Sequence, residues 1–444
     1  MLLAVQLPEV NDAAFEASLV ELSRLADTLG LEVVARVTQK RPVLASASVV
    51  GAGKLKQLGA LTGGNGVLLP YAPKGKRQAR PEDDDGFEDP DEDAANSGGI
   101  RASVVLVDHD LTPSQGRNLE KATGAEVLDR SMVILSIFQR HARTREARIQ
   151  VEIAQLNYLA PRLREASGGQ DRQRGGIGGK GAGETSLELD RRRIRDRIAE
   201  LREELEIVQR EAETRRNRRR GGETSSIALI GYTNAGKSSL MRALTGDSVY
   251  VADQLFATLD TTVRVLTPET KPRILVSDTV GFIHKLPHDL VASFRSTLAE
   301  AKDADLLLHV VDAADPALHE QLAVTLAVLR DIQAADDPRL LILNKADRLG
   351  AEQRTELARE FPDALIVSAR DPDDVRRLHA AVVAFFERAM QEAEFVIPYD
   401  RQRQVRMLHE RSRVLDEQYD QAGARLRVRA PAAILASLRR ELEE

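Results

Sequence analysis

The chain has 444 residues, a formal net charge of −6, 42% hydrophobic and 30% charged residues, and no cysteine. That length is too great for one ordinary core and predicts about two to four domains, while the missing cysteine excludes disulfides and thiolate zinc sites. The opening "MLLAVQLPEV" has neither the basic leader nor the long apolar stretch of a secretion signal, and no apolar run approaches the roughly 18 residues that span a bilayer, so the expectation is a cytoplasmic protein with no stable membrane insertion.

Residues 1–73 alternate strand-like runs ("LLAVQL", "LEVVARV", "GVLLPY") with helical patterns ("FEASLVELSRLADTLG", "GKLKQLGAL"). A second set follows in "ASVVLVDHDL", "TPSQGRNLEKATG", "AEVLD" and "MVILSIFQRHA". Strands separated by helices predict an N-terminal α/β domain over 1–143 with mostly parallel strands. Between the two sets lies an insertion, 74–99, in which nine of the thirteen residues from Pro81 to Asp93 are acidic. Such a segment cannot bury enough apolar surface to offset its ordering entropy, so it is expected to be disordered.

From Thr144 the pattern turns helical. Ile149, Ile153, Leu156, Leu159 and Leu163 share one face, and after a break the period resumes at Leu187, Ile194, Ile198, Leu201, Leu205 and Val208. Steps alternating between four and three mark a helix–helix seam, so 144–220 is expected to form an antiparallel helical hairpin. Its joining loop, 168–183, is half glycine, eight of sixteen residues, and carries Arg172, Arg174 and Lys180. Glycine permits close backbone approach and the cations favour a phosphate-rich surface. Residues 140–220 hold 21 Lys/Arg, 20 of them arginine, against 14 Asp/Glu, whereas both flanks are acidic. This basic middle segment is either a nucleic-acid footprint or a solvated charged hairpin.

Residues 221–392 again alternate strand and helix, predicting a doubly wound sheet, and 393–444 read strand, helix ("RQRQVRMLHERSRVLDEQY"), strand ("ARLRVRA") and helix, a small α+β domain. The chemistry concentrates in 221–392. "GYTNAGKSSL" follows the apolar run "SSIALI" and enters a helical stretch, the strand–loop–helix context of a phosphate-binding loop. Gly231, Tyr232, Thr233, Asn234, Ala235, Gly236, Lys237 and Ser238 form that loop; Lys237 is placed for the β/γ-phosphates and the Ser238 hydroxyl for Mg²⁺. "DTVG" closes the strand "RILVS". Asp278 is placed to hold Mg²⁺ through water, and Thr279, Val280 and Gly281 bring the Gly281 N–H to the γ-phosphate. "NKAD" follows "LLIL". Asp347 can accept from the guanine N1–H and 2-amino group, which adenine lacks; Asn344 bonds the base edge, the Lys345 stem packs over the ring, and Ala346 completes the turn. "SAR" (Ser368, Ala369, Arg370) can place a backbone N–H on guanine O6. Four such elements in this order predict GTP/GDP. In "FATLDTTVR", between the loop helix and the next strand, Thr258, Thr261 and Thr262 all qualify by position as the threonine that ligates Mg²⁺ with the γ-phosphate present.

These residues closely resemble HflX-type GTPases. "GYTNAGKSSL", "LFATLD", "SDTVGFIHKLPHDLVASFRSTLAE", "ADLLLHVVDA" and "NKAD" carry the resemblance. "VGAGKLKQL", "LTPSQGRNLE", "HARTREARIQVEIAQLNYLAPRL" and "GGIGGKGAGETSLELDRRRIRDRI" extend it over nearly the whole chain. Ser239 stands where the family usually has threonine, Thr261 and Ala182 where proline is common, and the acidic insertion is a further departure. The resemblance implies a Ras-like GTPase domain in which the switch threonine is Thr258, within the contact segment Phe256, Ala257, Thr258, Leu259 and Asp260. It implies catalytic roles for Lys237, Thr258 and Gly281 and metal ligation by Ser238 and Thr258. It also implies a partner of the large ribosomal subunit, its RNA and proteins, associated with splitting or rescuing ribosomes under stress; separately, a monomer is expected. The N-terminal domain and hairpin would make the contact, and the glycine-rich loop would reach ribosomal RNA.

Where many Ras-like proteins place a water-orienting glutamine, this chain has Phe282. A phenyl ring offers that water no donor or acceptor, so hydrolysis is expected to be slow alone and to rise on the ribosome; a packing role for Phe282 is compatible with this. His284 and His288 are assigned no role. The competing readings are an RNA-binding module that uses GTP as a structural ligand, and a GTPase acting on tRNA or at a membrane surface.

Overall fold

The computed structural model describes residues 1–68, 101–166, 186–220, 224–246, 255–256, 262–283 and 301–443. The acidic insertion at 74–99, the glycine-rich loop at 168–183 and the predicted helix "DLVASFRSTLAEAK", all but its last two residues, lie outside them, as do His284 and His288. The chain packs as two compact units, Met1–Arg140 with Glu152–Glu200, and His141–Val151 with Leu201–Glu444.

The first unit carries β1 (Leu2–Gln6), α1 (Asp12–Thr28), β2 (Arg36–Lys40), α2 (Ala52–Thr62), β3 (Val104–Val107), α3 (Pro113–Thr123), β4 (Glu126–Asp129) and α4 (Arg130–His141). The strands form a parallel sheet in the order β2-β1-β3-β4. Local signals set the helix ends. In α3 the Thr112 side chain and Gln115 make a reciprocal capping box, Pro113 occupies the first turn, and Gly124 closes the helix at φ 66°. Two sequence expectations shift. β2 starts at Arg36, late in the run "LEVVARV", and the described part of "GVLLPY" is not a strand. No partner strand hydrogen-bonds that run among the described residues, and apolar character alone does not make a ladder.

Helices α5 (Arg145–Ala166) and α6 (Ser186–Arg220) are joined by ion pairs, Arg145 to Glu204 at 2.8 Å and Arg197 to Glu152 at 2.9 Å. Seven residues forward on α5 correspond to seven back on α6, which is antiparallel pairing. Ile149, Ile153, Ile198, Leu201 and Val208 of the expected seam are buried. Leu159 is exposed instead, and Ala147, Val151 and Ala154, on another face of α5, are buried.

The second unit contains β5 (Ser225–Gly231), α7 (Lys237–Thr245), β6 (Thr262–Val265), β7 (Ile274–Asp278), β8 (Leu306–Asp312), α8 (Leu318–Asp331), β9 (Arg339–Asn344), α9 (Ala351–Glu360), β10 (Leu365–Ile366) and α10 (Pro372–Arg388). Strand order is β10-β9-β8-β5-β7-β6, parallel except for the β6–β7 edge pair. Alternate residues face opposite layers. Ile227, Leu229, Leu308 and Val310 pack with Leu240, Leu244, Leu378 and Val382, whereas Ala228, Ile230 and Leu307 pack with Val328 and Leu329. Burial on both faces is why these strands read as continuous apolar runs.

After β10 and α10 come β11 (Met390–Ile397), α11 (Gln402–Arg411), β12 (Arg413–Asp420), β13 (Gly423–Pro431) and α12 (Ala432–Glu443), with the antiparallel order β11-β13-β12. The helix expected through Tyr419 stops at Arg411. The Ser412 amide and hydroxyl both bond back to the Leu408 carbonyl, and residues 413–420 pair with β13 across a tight turn.

Candidate nucleotide site

All the chemistry-bearing loops leave the carboxyl ends of neighbouring parallel strands, the edge at which open α/β sheets bind ligands. β5 ends in Gly231, whose φ of 148° and close approach to the Val310 carbonyl leave no room for a Cβ. The loop Tyr232–Gly236 follows, with Asn234 at φ 59° and Gly236 at φ 93°. A Cβ on Gly236 would lie 2.2 Å from Asn344 Nδ2. α7 then begins at Lys237, so its free N–H groups face the loop.

Lys237 is buried and donates to the Gly231 and Tyr232 carbonyls at 3.1 and 2.8 Å. Burial pushes its ammonium down to about 8; Asp278 opposes that and Lys345 adds to it. The Ser238 hydroxyl donates to Asp278 Oδ2 at 2.7 Å, at the end of β7. Thr279 donates its hydroxyl to the Leu229 carbonyl at 2.7 Å, and Val280 is buried. Gly281 packs so closely that a Cβ would meet Thr233 Cα at 2.9 Å and Lys237 Nζ at 3.0 Å. Phe282 is 2% exposed, its ring in the core with Ala228, Ile230 and Leu307. Its backbone is bonded to the loop in both directions, N–H to the Gly231 carbonyl at 3.1 Å and carbonyl from the Thr233 N–H at 2.7 Å.

At the end of β9, Asn344 is 1% exposed. It donates from Nδ2 to the Ala235 carbonyl at 2.9 Å and accepts the Ala369 N–H at 3.2 Å. Lys345 takes a left-handed backbone, φ 63°, and its Nζ meets Asp312 Oδ2 at 2.7 Å. The Ala346 N–H bonds the Val367 carbonyl at 3.1 Å. Asp347 accepts the Ser368 hydroxyl at 2.6 Å, with Arg370 at 3.7 Å; the Ser368 bond holds its carboxyl below the usual carboxylate range. The structure thus brings together the loop at 231–238, Asp278–Gly281, Asn344–Asp347 and Ser368–Arg370. Of the segment 256–260, Phe256 is described, buried at φ 57°. Ala257, Thr258, Leu259 and Asp260 lie outside the described residues.

Asp312 was not singled out from sequence, although its signal was present: an acid ending an apolar strand, as Asp278 ends β7. Among the described residues no group of three His, Cys, Asp or Glu side chains forms a metal cluster, and no helix is long and apolar enough to cross a membrane.

A parallel sheet with a glycine loop opening into a helix, an aspartate facing the loop's serine and an Asn-Lys-x-Asp turn beside it defines a P-loop GTPase. A profile described as GTP-binding GTPase N-terminal matches residues 16–69 and 92–139, GTP-binding GTPase Middle Region matches 141–219, and 50S ribosome-binding GTPase matches 226–345. A GTPase HflX of Gluconacetobacter diazotrophicus is 56% identical over 100% of this chain and 97% of its own length. One from Caldanaerobacter subterraneus is 37% identical over 98% and 92%. A GTP-binding protein from Sulfolobus solfataricus, solved with GDP, is 22% identical, covers 86% of this chain and 99% of its own, and superposes with a TM-score of 0.43. The chain belongs to the HflX family of GTPases.

Proposed function

We propose that this GTPase recognises guanine through Asp347, hydrolyses GTP slowly by itself and is accelerated by the large ribosomal subunit, which it engages to split or rescue ribosomes. The observation that carries the slow unaided rate is Phe282. Its ring is buried in the core, so the position next to Gly281 offers nothing to orient an attacking water. Lys237 exchanges the Gly231 and Tyr232 carbonyls for the β/γ-phosphates, and the Gly281 N–H meets the γ-phosphate. Asp347 exchanges Ser368 for the guanine edge, and a backbone N–H of Ser368–Arg370 serves O6.

The residues fit Mg²⁺. Ser238 is a hard oxygen donor held by a carboxylate, and this ion is ordinarily bound by one or two protein oxygens plus phosphates rather than by an all-protein cage. The chemistry it supplies when bound is neutralisation of the phosphoryl oxygens' charge. Ser238 would ligate it, Asp278 would hold that hydroxyl and the metal's water, and Thr258 is the family-implied second hydroxyl. Binding to the ribosome is supported by the profile over 226–345 and by the relatives' family, and the basic segment 140–220 suits an RNA surface.

Single-turnover hydrolysis with and without large subunits tests this reading. A rate that rises on subunits and vanishes in Lys237→Ala is expected; equal rates in both conditions would refute it. Sedimentation through sucrose gradients with GTP, GDP and a non-hydrolysable analogue separates ribosome binding from action on tRNA.

A further inference from the structure

We propose that Asp312 is a positioning residue for the nucleotide, one that pins Lys345 to the base side of the pocket. This rests on the reading of Asn344–Asp347 as the guanine site. Asp312 ends β8 directly opposite Asn344, and the Ala313 N–H bonds the Asn344 carbonyl at 2.8 Å. The two carboxylate oxygens have different tasks. Oδ1 accepts the Ala314 N–H at 3.1 Å and shapes the turn after β8. Oδ2 lies 2.7 Å from Lys345 Nζ, the two side chains being 12% and 15% exposed, respectively.

The electrostatic reason is a crowding of cations. Lys237 and Lys345 flank the same loop: a Cβ on Gly236 would lie 3.9 Å from Lys345 Cε, and Lys237 is the next residue, the first of α7. Two ammonium groups in a partly buried pocket repel with little screening. A long lysine stem is free to choose among acceptors unless one is fixed. Asp312 is that fixed acceptor. It neutralises Lys345, keeps its methylenes beside the position of the base and leaves the phosphates to Lys237. Nucleotide retention, rather than the phosphoryl-transfer step, is the property it controls.

The test is the release rate of a fluorescent GDP analogue from the full chain, with melting temperature and saturated kcat measured beside it. Asp312→Asn keeps an oxygen for the Ala314 N–H but loses the charge; release is expected to quicken about ten-fold, as on loss of one charge-assisted hydrogen bond, with saturated kcat unchanged. Asp312→Glu keeps the charge and disturbs the turn; it is expected to release slowly, near the wild-type rate. If Asn releases like the wild type, or if Glu is as fast as Asn, Asp312 only shapes the turn and the proposal is overturned. Asp347→Asn is run in parallel with guanine and xanthine nucleotides. A retained guanine preference there would overturn the base reading itself, whereas a lost preference together with a silent Asp312→Asn would sink the positioning role alone.

Discussion

The Phe282 carbonyl accepts the Thr233 amide at 2.7 Å, lacing the stretch after Asp278 onto the phosphate loop while the Phe282 ring anchors in the core. A glutamine placed there would replace a ring that is 2% exposed, so its amide would enter an apolar layer rather than the nucleotide pocket. Phe282→Gln is therefore expected to hydrolyse GTP no faster than the wild type in single-turnover assays. Phe282→Ala should destabilise the domain by about 3–5 kcal/mol, the usual cost of emptying an aromatic core site, read from urea denaturation.

Gly281 has no space for a methyl group. An alanine would meet Thr233 Cα at 2.9 Å and Lys237 Nζ at 3.0 Å, so the loop must back away. A shift of that kind costs roughly a hundred-fold in rate when it displaces a group that contacts the transferring phosphoryl. Gly281→Ala should remain folded by circular dichroism and lose about that factor in saturated kcat.

Asn344→Ala removes a side chain that satisfies two backbone groups at once, the Ala235 carbonyl and the Ala369 N–H. Each buried group left unpaired costs about 1–3 kcal/mol. Calorimetric titration should show GDP affinity falling by at least about ten-fold, a factor equal to about 1.4 kcal/mol, with thermal stability reduced as well.

His309 lies in the centre of β8, 2% exposed, and its Nε2 has no hydrogen-bond partner among the described residues. Burial, with Arg339 and Lys237 adding to it, brings its pKa from 6.5 down to about 4. Below pH 6.5 the unfolded chain takes up a proton that the folded chain refuses, so stability declines as the pH falls from 6.5 to 4. The full effect is about 3 kcal/mol. Urea midpoints at pH 7 and pH 4.5 should converge in His309→Leu relative to the wild type.

The loops at 231–238, 278–281, 344–347 and 368–370 were legible because each signal is local: an apolar strand, then polar residues at fixed spacing. What was not legible depends on distant partners. Val405, Leu408, Ser412 and Leu415 keep a helical period, so 413–420 looked helical; pairing with β13 decides otherwise. The turn that permits it was visible in "DQAG", where Asp420 Oδ1 accepts the Ala422 N–H at 2.7 Å and Gly423 sits at φ 140°. Residue 282 announced itself as unusual, but only packing against Ala228 and Ile230 shows where its ring goes. Asp312 went unnoticed because its partner, Lys345, arrives from another strand.

Because Asn344 binds one loop through Ala235 and another through Ala369, the turns at 231–236, 344–347 and 368–370 form one hydrogen-bonded unit. A macromolecule that levers the base-side turn outward would slacken the opposite end too. On the proposed assignment of these turns, guanine-nucleotide release is expected to respond to displacement of 344–347 as well as of the loop at 231–236.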